Sequence, residues 1–172
     1  MMAFKVGIIV ASDKGSKGDR VDLSGKLIEE ILKESGYEVS FYGIQPDDIN
    51  HLKEAMVYCA DKLKVDLILT TGGTGFSRRD VTPEATLSVI EKQVPGIPEA
   101  MRYFSFQITP RAMLSRAVAG IRGNTLIVNM PGSPKAVKES LEFILPTLEH
   151  GLEILTGAAN ECGNSIASEL IK

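Results

Sequence analysis

Three short runs of aliphatic and β-branched residues, at 4–11, 37–44 and 65–71, alternate with two stretches whose apolar residues recur at helical spacing. This alternation restricts the fold more than any other feature of the chain. The first run, Phe4-Lys5-Val6-Gly7-Ile8-Ile9-Val10-Ala11, is almost continuously apolar, the pattern of a strand covered on both faces in a parallel sheet. From Asp22 the apolar residues Leu23, Leu27, Ile28, Ile31 and Leu32 form a helical stripe that ends at Gly36, a residue suited to a left-handed C-terminal cap. Residues 48–63 repeat the stripe with Ile49, Leu52, Met56, Cys59, Ala60 and Leu63. Strand, helix, strand, helix, strand with short connections implies right-handed crossovers. The expected fold is α/β: a doubly wound, mostly parallel sheet with helices on both faces.

The second half extends this plan. Thr82-Pro83-Glu84 reads as a helix start, with Thr82 as N-cap and Pro83 in the first helical position, and that helix is expected to run to about Lys92. Residues 95–98 break the pattern and open another helix through Met101 and Phe104. Residues 115–121 and 125–129 read as strands joined by Arg122-Gly123-Asn124, a β-hairpin at one edge of the sheet. Pro131-Gly132-Ser133-Pro134 then turns into a helical stretch over 135–155, where Pro146 should restart or kink the helix. One domain over residues 1–157, followed by a small and initially polar tail at 158–172, is the expected organisation.

Composition removes several classes of function. With 44% apolar and 24% charged residues in 172, the chain matches a globular domain able to bury its own core. Nineteen Lys and Arg against 22 Asp and Glu leave a formal charge of -3, without the basic surplus of a nucleic-acid-binding protein. Cys59 and Cys162 have no Cys or His at ligand spacing, which argues against a zinc site or a disulfide framework. His51 and His150 fall in helical stretches beside no nucleophile or base and read as surface or packing residues. The run at 4–11 is far shorter than the ~20 residues of a membrane span and lacks a charged leader, so no membrane association and a cytoplasmic location are expected.

In an open α/β sheet, ligands sit beyond the carboxyl ends of the strands. Thr70-Thr71-Gly72-Gly73-Thr74-Gly75 follows the third strand directly, where glycines let backbone N–H groups approach an anion. The segment has neither the lysine of a Walker loop nor the spacing of a dinucleotide fingerprint, and a plain tight turn explains it equally well. Arg78-Arg79-Asp80 adds guanidinium groups for phosphate and a carboxylate for Mg²⁺, although Asp80 also precedes a helix whose dipole favours an acid. Asp47 and Asp48 close the second strand. Their residue types suit an N-cap and a first-turn acid, with one of the pair able to face the site. Ser12-Asp13, the helix start Asp22-Leu23-Ser24-Gly25, and the stiff turn Asn129-Met130-Pro131-Gly132-Ser133-Pro134 complete the polar loops at this edge.

Thr-Thr-Gly-Gly-Thr-Gly-Phe at 70–76, Arg-Asp-Val-Thr-Pro-Glu-Ala-Thr at 79–86, Met-Leu-Ser-Arg at 113–116, Gly-Ile-Arg-Gly at 120–123 and Asn-Met-Pro-Gly-Ser-Pro at 129–134 together resemble one family. It is the MogA/MoaB family of molybdenum cofactor biosynthesis proteins, similar also to the G domain of gephyrin. The resemblance runs from about residue 4 to 155. It implies a molybdopterin adenylyltransferase that uses ATP and Mg²⁺ and assembles as a homotrimer, with a MoeA-type molybdenum insertase downstream. Onto this chain it carries Asp47 and Asp80 as catalytic acids, with Asp80 as the Mg²⁺ ligand, joined by Asp47. It carries Ser12, Asp13, Gly72, Gly73, Thr74, Gly75, Ser115, Arg116, Pro131, Gly132 and Ser133 as substrate or nucleotide contacts. The alternatives are a MoaB-type molybdopterin carrier or scaffold without efficient adenylylation, and a generic nucleotide-binding regulator.

Overall fold

The computed structural model describes residues 3–157; Cys162 and the tail at 158–172 lie outside them. A six-stranded mixed sheet has the order β2-β1-β3-β6-β5-β4. Its strands are β1 (Lys5–Ala11), β2 (Glu38–Gln45), β3 (Leu67–Thr71), β4 (Lys92–Gln93), β5 (Ala119–Arg122) and β6 (Thr125–Met130). β2, β1, β3 and β6 run parallel, whereas β5 and β4 are antiparallel additions. The helices are α1 (Asp13–Ser16), α2 (Ser24–Glu34), α3 (Ile49–Val57), α4 (Thr82–Leu87), α5 (Gly96–Phe106) and α6 (Pro134–Thr156).

The period-two alternation of the strands sorts the core onto two faces. Val6, Ile8 and Val10 of β1 pack with Leu67, Leu69, Leu126 and Val128 beneath α2 and α6, where Ile28, Leu32, Leu141 and Leu148 are buried. Ile9, Ala11, Ile68 and Ile127 face the opposite way, toward Leu52, Met56 and Cys59 of the α3 stretch and Ala85 of α4. Gly7 lies where an added Cβ would stand 3.1 Å from the Cys59 sulfur, so this strand position must be small. Burial pushes the Cys59 thiol up to about 12. Among the described residues no helix is long and apolar enough to cross a membrane.

Several local expectations change. The second stripe forms α3 but widens into a π-helical turn over Tyr58–Lys62. α4 ends at Leu87 rather than near Lys92, because Glu91 N–H donates to Ile121 O (2.8 Å) and Val94 N–H to Ala119 O (2.9 Å), drawing this segment into the sheet as β4. Thr82 is the first residue of α4 and not its N-cap; its hydroxyl donates to Gly72 O at 2.9 Å, and Val81 holds the cap position. The β5–β6 hairpin forms with Gly123 at φ 54° in its two-residue turn, as such turns require, but β4 takes the outermost position beside it. The first of the two expected hairpin strands starts at Ala119 and not at 115, since Arg116 N–H donates to Thr74 O and Val118 N–H to the Asn129 side chain. The last helix does not restart at Pro146: α6 is continuous through it for 23 residues.

Pro146 has no N–H for the carbonyl of Glu142 one turn earlier, and it is exposed. Replacing it with alanine should stabilise the protein by about 1–2 kcal/mol, the helix-propensity gain less the entropy returned to the unfolded chain. Urea unfolding measures this, and a loss of stability would show that α6 depends on the ring.

Candidate functional site

The strand order reverses between β1 and β3, with β2 beyond one and β6 beyond the other, and a doubly wound sheet opens its ligand crevice at such a switch point. A cleft of about 290 Å³ lies there, lined by Ser12 after β1, Asp47 after β2, Thr71 at the end of β3 with Gly72 and Gly73 after it, and Asp80, Gly132 and Pro134. A second cleft of about 300 Å³ adjoins it, lined by Thr74 and Gly75, by Met101, Arg102 and Ser105 of α5, by Leu114 and Ser115, and by Pro131 and Gly132. Gly132 belongs to both, and residues 71–75 form the wall between them.

The loops after β1 and β2 are clasped by their own acids. Asp13 N–H donates to the Asp47 carboxylate at 2.9 Å, and Asp47 N–H returns a bond to the Asp13 carboxylate at 3.0 Å. Arg79 closes the clasp with a two-pronged contact to Asp13, 2.9 Å from Nε and 2.8 Å from Nη2. That guanidinium holds the Asp13 carboxyl below the usual carboxylate range. Burial pushes the Asp47 carboxyl upward, helped by the charges of Asp13 and Asp80 and opposed by the Asp13 N–H. Asp48 turns away and caps α3 through Asn50 and His51 N–H; of the adjacent pair, one acid caps and the other faces the cleft. His51 is exposed, 3.0 Å from Asp48.

The glycine loop is held by neighbours rather than left open. Gly72 and Gly73 adopt φ 91° and 66°, and a Cβ on either would collide with Ala11 O or with the Thr82 hydroxyl. Among the described residues, the N–H groups of residues 72–75 donate to no protein acceptor, which leaves them for an anion. Asp80 accepts Ser77 N–H at 2.8 Å. Arg116 spans the loop: its Nε donates to Gly75 O (2.7 Å), its Nη2 to Asp80 O (2.6 Å), and its Nη1 pairs with Glu84. Arg79 and Arg116, cationic candidates in the sequence, are thus both engaged by the protein itself. Arg78 is exposed and lines neither cleft.

The remaining candidates divide. Ser12 lines the first cleft and caps α1 by accepting Gly15 N–H at 3.0 Å. Ser115 lines the second, its hydroxyl accepting Ala117 N–H at 3.3 Å. Ser133 caps α6 through Ala136 N–H and lines neither cleft. Sequence reasoning missed the buried polar set behind the loop: Asn129 Nδ2 donates to the hydroxyls of Thr70 (3.0 Å) and Thr86 (2.8 Å). It named the helix start at Asp22 and Leu23 but missed what joins it at the rim of the first cleft, where the Tyr42 hydroxyl donates to Asp22 and Arg20 and Val21 precede it. Thr70 and Asn129 inside apolar strands were the available signal for the first; the second depends on a long-range approach that no local pattern encodes.

Residues 7–150 match the family described as "Probable molybdopterin binding domain". A molybdopterin adenylyltransferase of Helicobacter pylori is 41% identical over 161 residues, 91% of this chain and 90% of the relative. Gephyrin of Dictyostelium discoideum is 42% identical over 87% of this chain, which spans only 22% of that protein. The crystal structure of the molybdopterin biosynthesis enzyme MoaB from Thermus thermophilus superposes with a TM-score of 0.85 at 49% identity, covering 90% of this chain and 97% of the other.

Because Arg116 holds the loop through carbonyl oxygens, Arg116→Ala should destabilise the protein by about 2–3 kcal/mol and accelerate amide exchange in residues 74–80. Arg116→Lys should not restore protection, since an ammonium cannot reproduce the fork. Hydrogen exchange read by mass spectrometry decides it, and unchanged exchange would remove Arg116 as the loop's anchor.

Proposed function

Because the chain belongs to the MogA/MoaB family of molybdenum cofactor biosynthesis proteins, we propose that it is a cytoplasmic molybdopterin adenylyltransferase that transfers AMP from ATP to the molybdopterin phosphate. The observation that carries this reading is the pair of adjoining clefts parted only by a glycine loop, one holding three acids and the other mostly apolar. A transfer between two bound substrates needs two such sites with a shared boundary. The first cleft suits the nucleotide phosphates, through the free N–H groups of Gly72 and Gly73 and the N-terminal end of α6 at Pro134. The second, with Pro98, Met101, Leu114 and Pro131 around Ser115 and Arg102, suits a flat heterocycle edged with polar groups.

In the reaction, an oxygen of the molybdopterin phosphate attacks the α-phosphorus of ATP, the bond from that phosphorus to the bridging β-phosphate oxygen breaks, and pyrophosphate leaves. No protein nucleophile is required; the chain's task is to position and to offset charge. The donors present fit the Mg²⁺ that the family implies. Asp47 and Asp80 face one cleft, and the charge of Asp80 is among the causes that raise Asp47. Two carboxylates on one cleft suit an ion that ordinarily takes one or two carboxylates and completes its shell with water and substrate phosphate. Asp80, with Asp47, would hold Mg²⁺, which would supply charge neutralisation to the bound phosphates. Asp13 and Arg79 keep Asp47 in place, and Arg116 does the same for Asp80 through its carbonyl.

Self-association belongs to the same reading. Tyr103, Phe106, Ile108, Met113 and Leu114 are exposed on α5 and the turn that follows it, and a homotrimer would cover them. A MoeA-type insertase is the proposed consumer of the adenylylated product.

Purified protein supplied with molybdopterin, Mg²⁺ and labelled ATP should release pyrophosphate only when molybdopterin is present. Asp80→Asn should lower kcat by about 100-fold or more while leaving molybdopterin affinity nearly unchanged. Equal loss of both would remove Asp80 from the reacting centre, and tight molybdopterin binding without pyrophosphate would favour a carrier.

A further inference from the structure

The first cleft has a charge problem. Three carboxylates, Asp22, Asp47 and Asp80, line it, and Arg20 is the one cationic residue among the described lining. Asp22 is satisfied by the Tyr42 hydroxyl and by Gly25 N–H at 2.9 Å. Arg79 is bound to Asp13 and Arg116 to the glycine loop. A nucleoside triphosphate entering this cleft would therefore meet no other cationic side chain of the lining free to turn toward it. Arg20 is exposed and has neither ion pair nor hydrogen bond among the described residues.

Arg20 sits on a strap that is fastened at both ends and, among the described residues, makes no backbone hydrogen bond at Arg20 or Val21 between them. At one end Gly18 N–H donates to Gly15 O (3.0 Å) and Asp19 N–H to Lys14 O (2.9 Å); at the other, Asp22 carries its two bonds. Between and beside these anchors, Val21 is 79% exposed and Leu23 63% exposed although both line the cleft. Apolar side chains left in water at the mouth of a polar cleft gain when a flat ligand covers them. One strap thus offers a fork of guanidinium donors matched to phosphate and an apolar surface matched to a nucleobase, side by side.

We propose that residues 20–23 form the nucleotide-selecting rim of the first cleft, with Arg20 binding the β- and γ-phosphates and Val21 and Leu23 covering the base. The proposal rests on the reading of this cleft as the nucleotide site and adds the residues that recognise the two ends of ATP. Before transfer Arg20 offsets the charge that the acids repel; after transfer it holds the leaving pyrophosphate.

The test uses the full chain and two non-reacting probes, the α,β-methylene analogue of ATP and inorganic tripolyphosphate, each supplied with Mg²⁺. Arg20→Ala should weaken both by about tenfold, the loss of one charge-assisted contact, and raise the KM for ATP while molybdopterin affinity stays constant. Arg20→Lys should recover part of the affinity. Val21→Ser should weaken the ATP analogue and leave tripolyphosphate unchanged. Lys17→Ala removes a charge from the same loop outside the cleft and should change neither. Unchanged probe binding in Arg20→Ala, or an equal loss in Lys17→Ala, would overturn the proposal. Wild-type protein that binds both probes yet releases no pyrophosphate would instead overturn the adenylyltransferase reading and leave the rim standing, whereas wild-type protein that binds neither probe would overturn both.

Discussion

The side-chain amide of Asn129 is wholly excluded from water and bonded at both ends. Its nitrogen donates to Thr70 of β3 and Thr86 of α4, and its oxygen accepts Val118 N–H before β5. An apolar side chain of the same size would leave the Val118 N–H without this acceptor, at about 1–3 kcal/mol for a buried unpaired group, so the position is fixed by what surrounds it. The consequence reaches the cleft through two links. Asn129 sets where α4 lies on the sheet, and the first residue of α4, Thr82, holds the carbonyl of Gly72 by its hydroxyl and the carbonyl of Gly73 by its N–H. The glycine loop is therefore placed from behind, by the core, before any ligand arrives.

The same logic explains the arginines. A guanidinium near a phosphate site invites assignment to the phosphate, yet Arg79 and Arg116 both act on the protein's own oxygens, one on a carboxylate and one chiefly on carbonyls. Spending fixed cations on the frame leaves the cleft acidic, and Asp47 feels that through its burial and through Asp13 and Asp80. Such a cleft disfavours an anion alone and favours an anion that arrives with a divalent cation, which is the form in which a nucleoside triphosphate is ordinarily used. Rigidity and selectivity thus come from one distribution of charge.

How far the sequence could be read depends on the range of the interactions involved. The buried strands and the helical stripes are local patterns, and β1, β2, β3, α2 and α3 lie close to where periodicity places them. The pair Asp47 and Asp48 was legible as one cap and one site-facing acid, because a helix start needs only one of them. The premature end of α4 was not legible. Residues 88–92 continue a helical pattern, but Glu91 and Val94 find backbone partners in β5, about thirty residues later in the chain by the spacing of those pairs. Nor could Pro146 be judged locally, since α6 is held by Leu141, Ile144, Leu145, Leu148 and Leu152 on its buried face, and packing outweighs one missing hydrogen bond. The second cleft was nearly invisible, because α5 and the segment at 110–117 meet the glycine loop only in three dimensions.

The glycines of that loop carry a last step. Their pattern suggests a cradle shaped for a ligand, but the space each one vacates belongs to the protein. A Cβ at Gly72 would strike the end of β1, one at Gly73 the start of α4, and one at Gly75 would stand 2.9 Å from the Asp80 carboxylate. Bare backbone is what lets β1, α4 and Asp80 converge on a single turn, and the thin wall between the clefts follows from that convergence. Reacting groups must approach to about 3–3.5 Å before transfer can occur, and a wall bearing side chains at these positions would hold two ligands apart. The packing need of the fold and the contact need of the proposed reaction are thus met by the same residues.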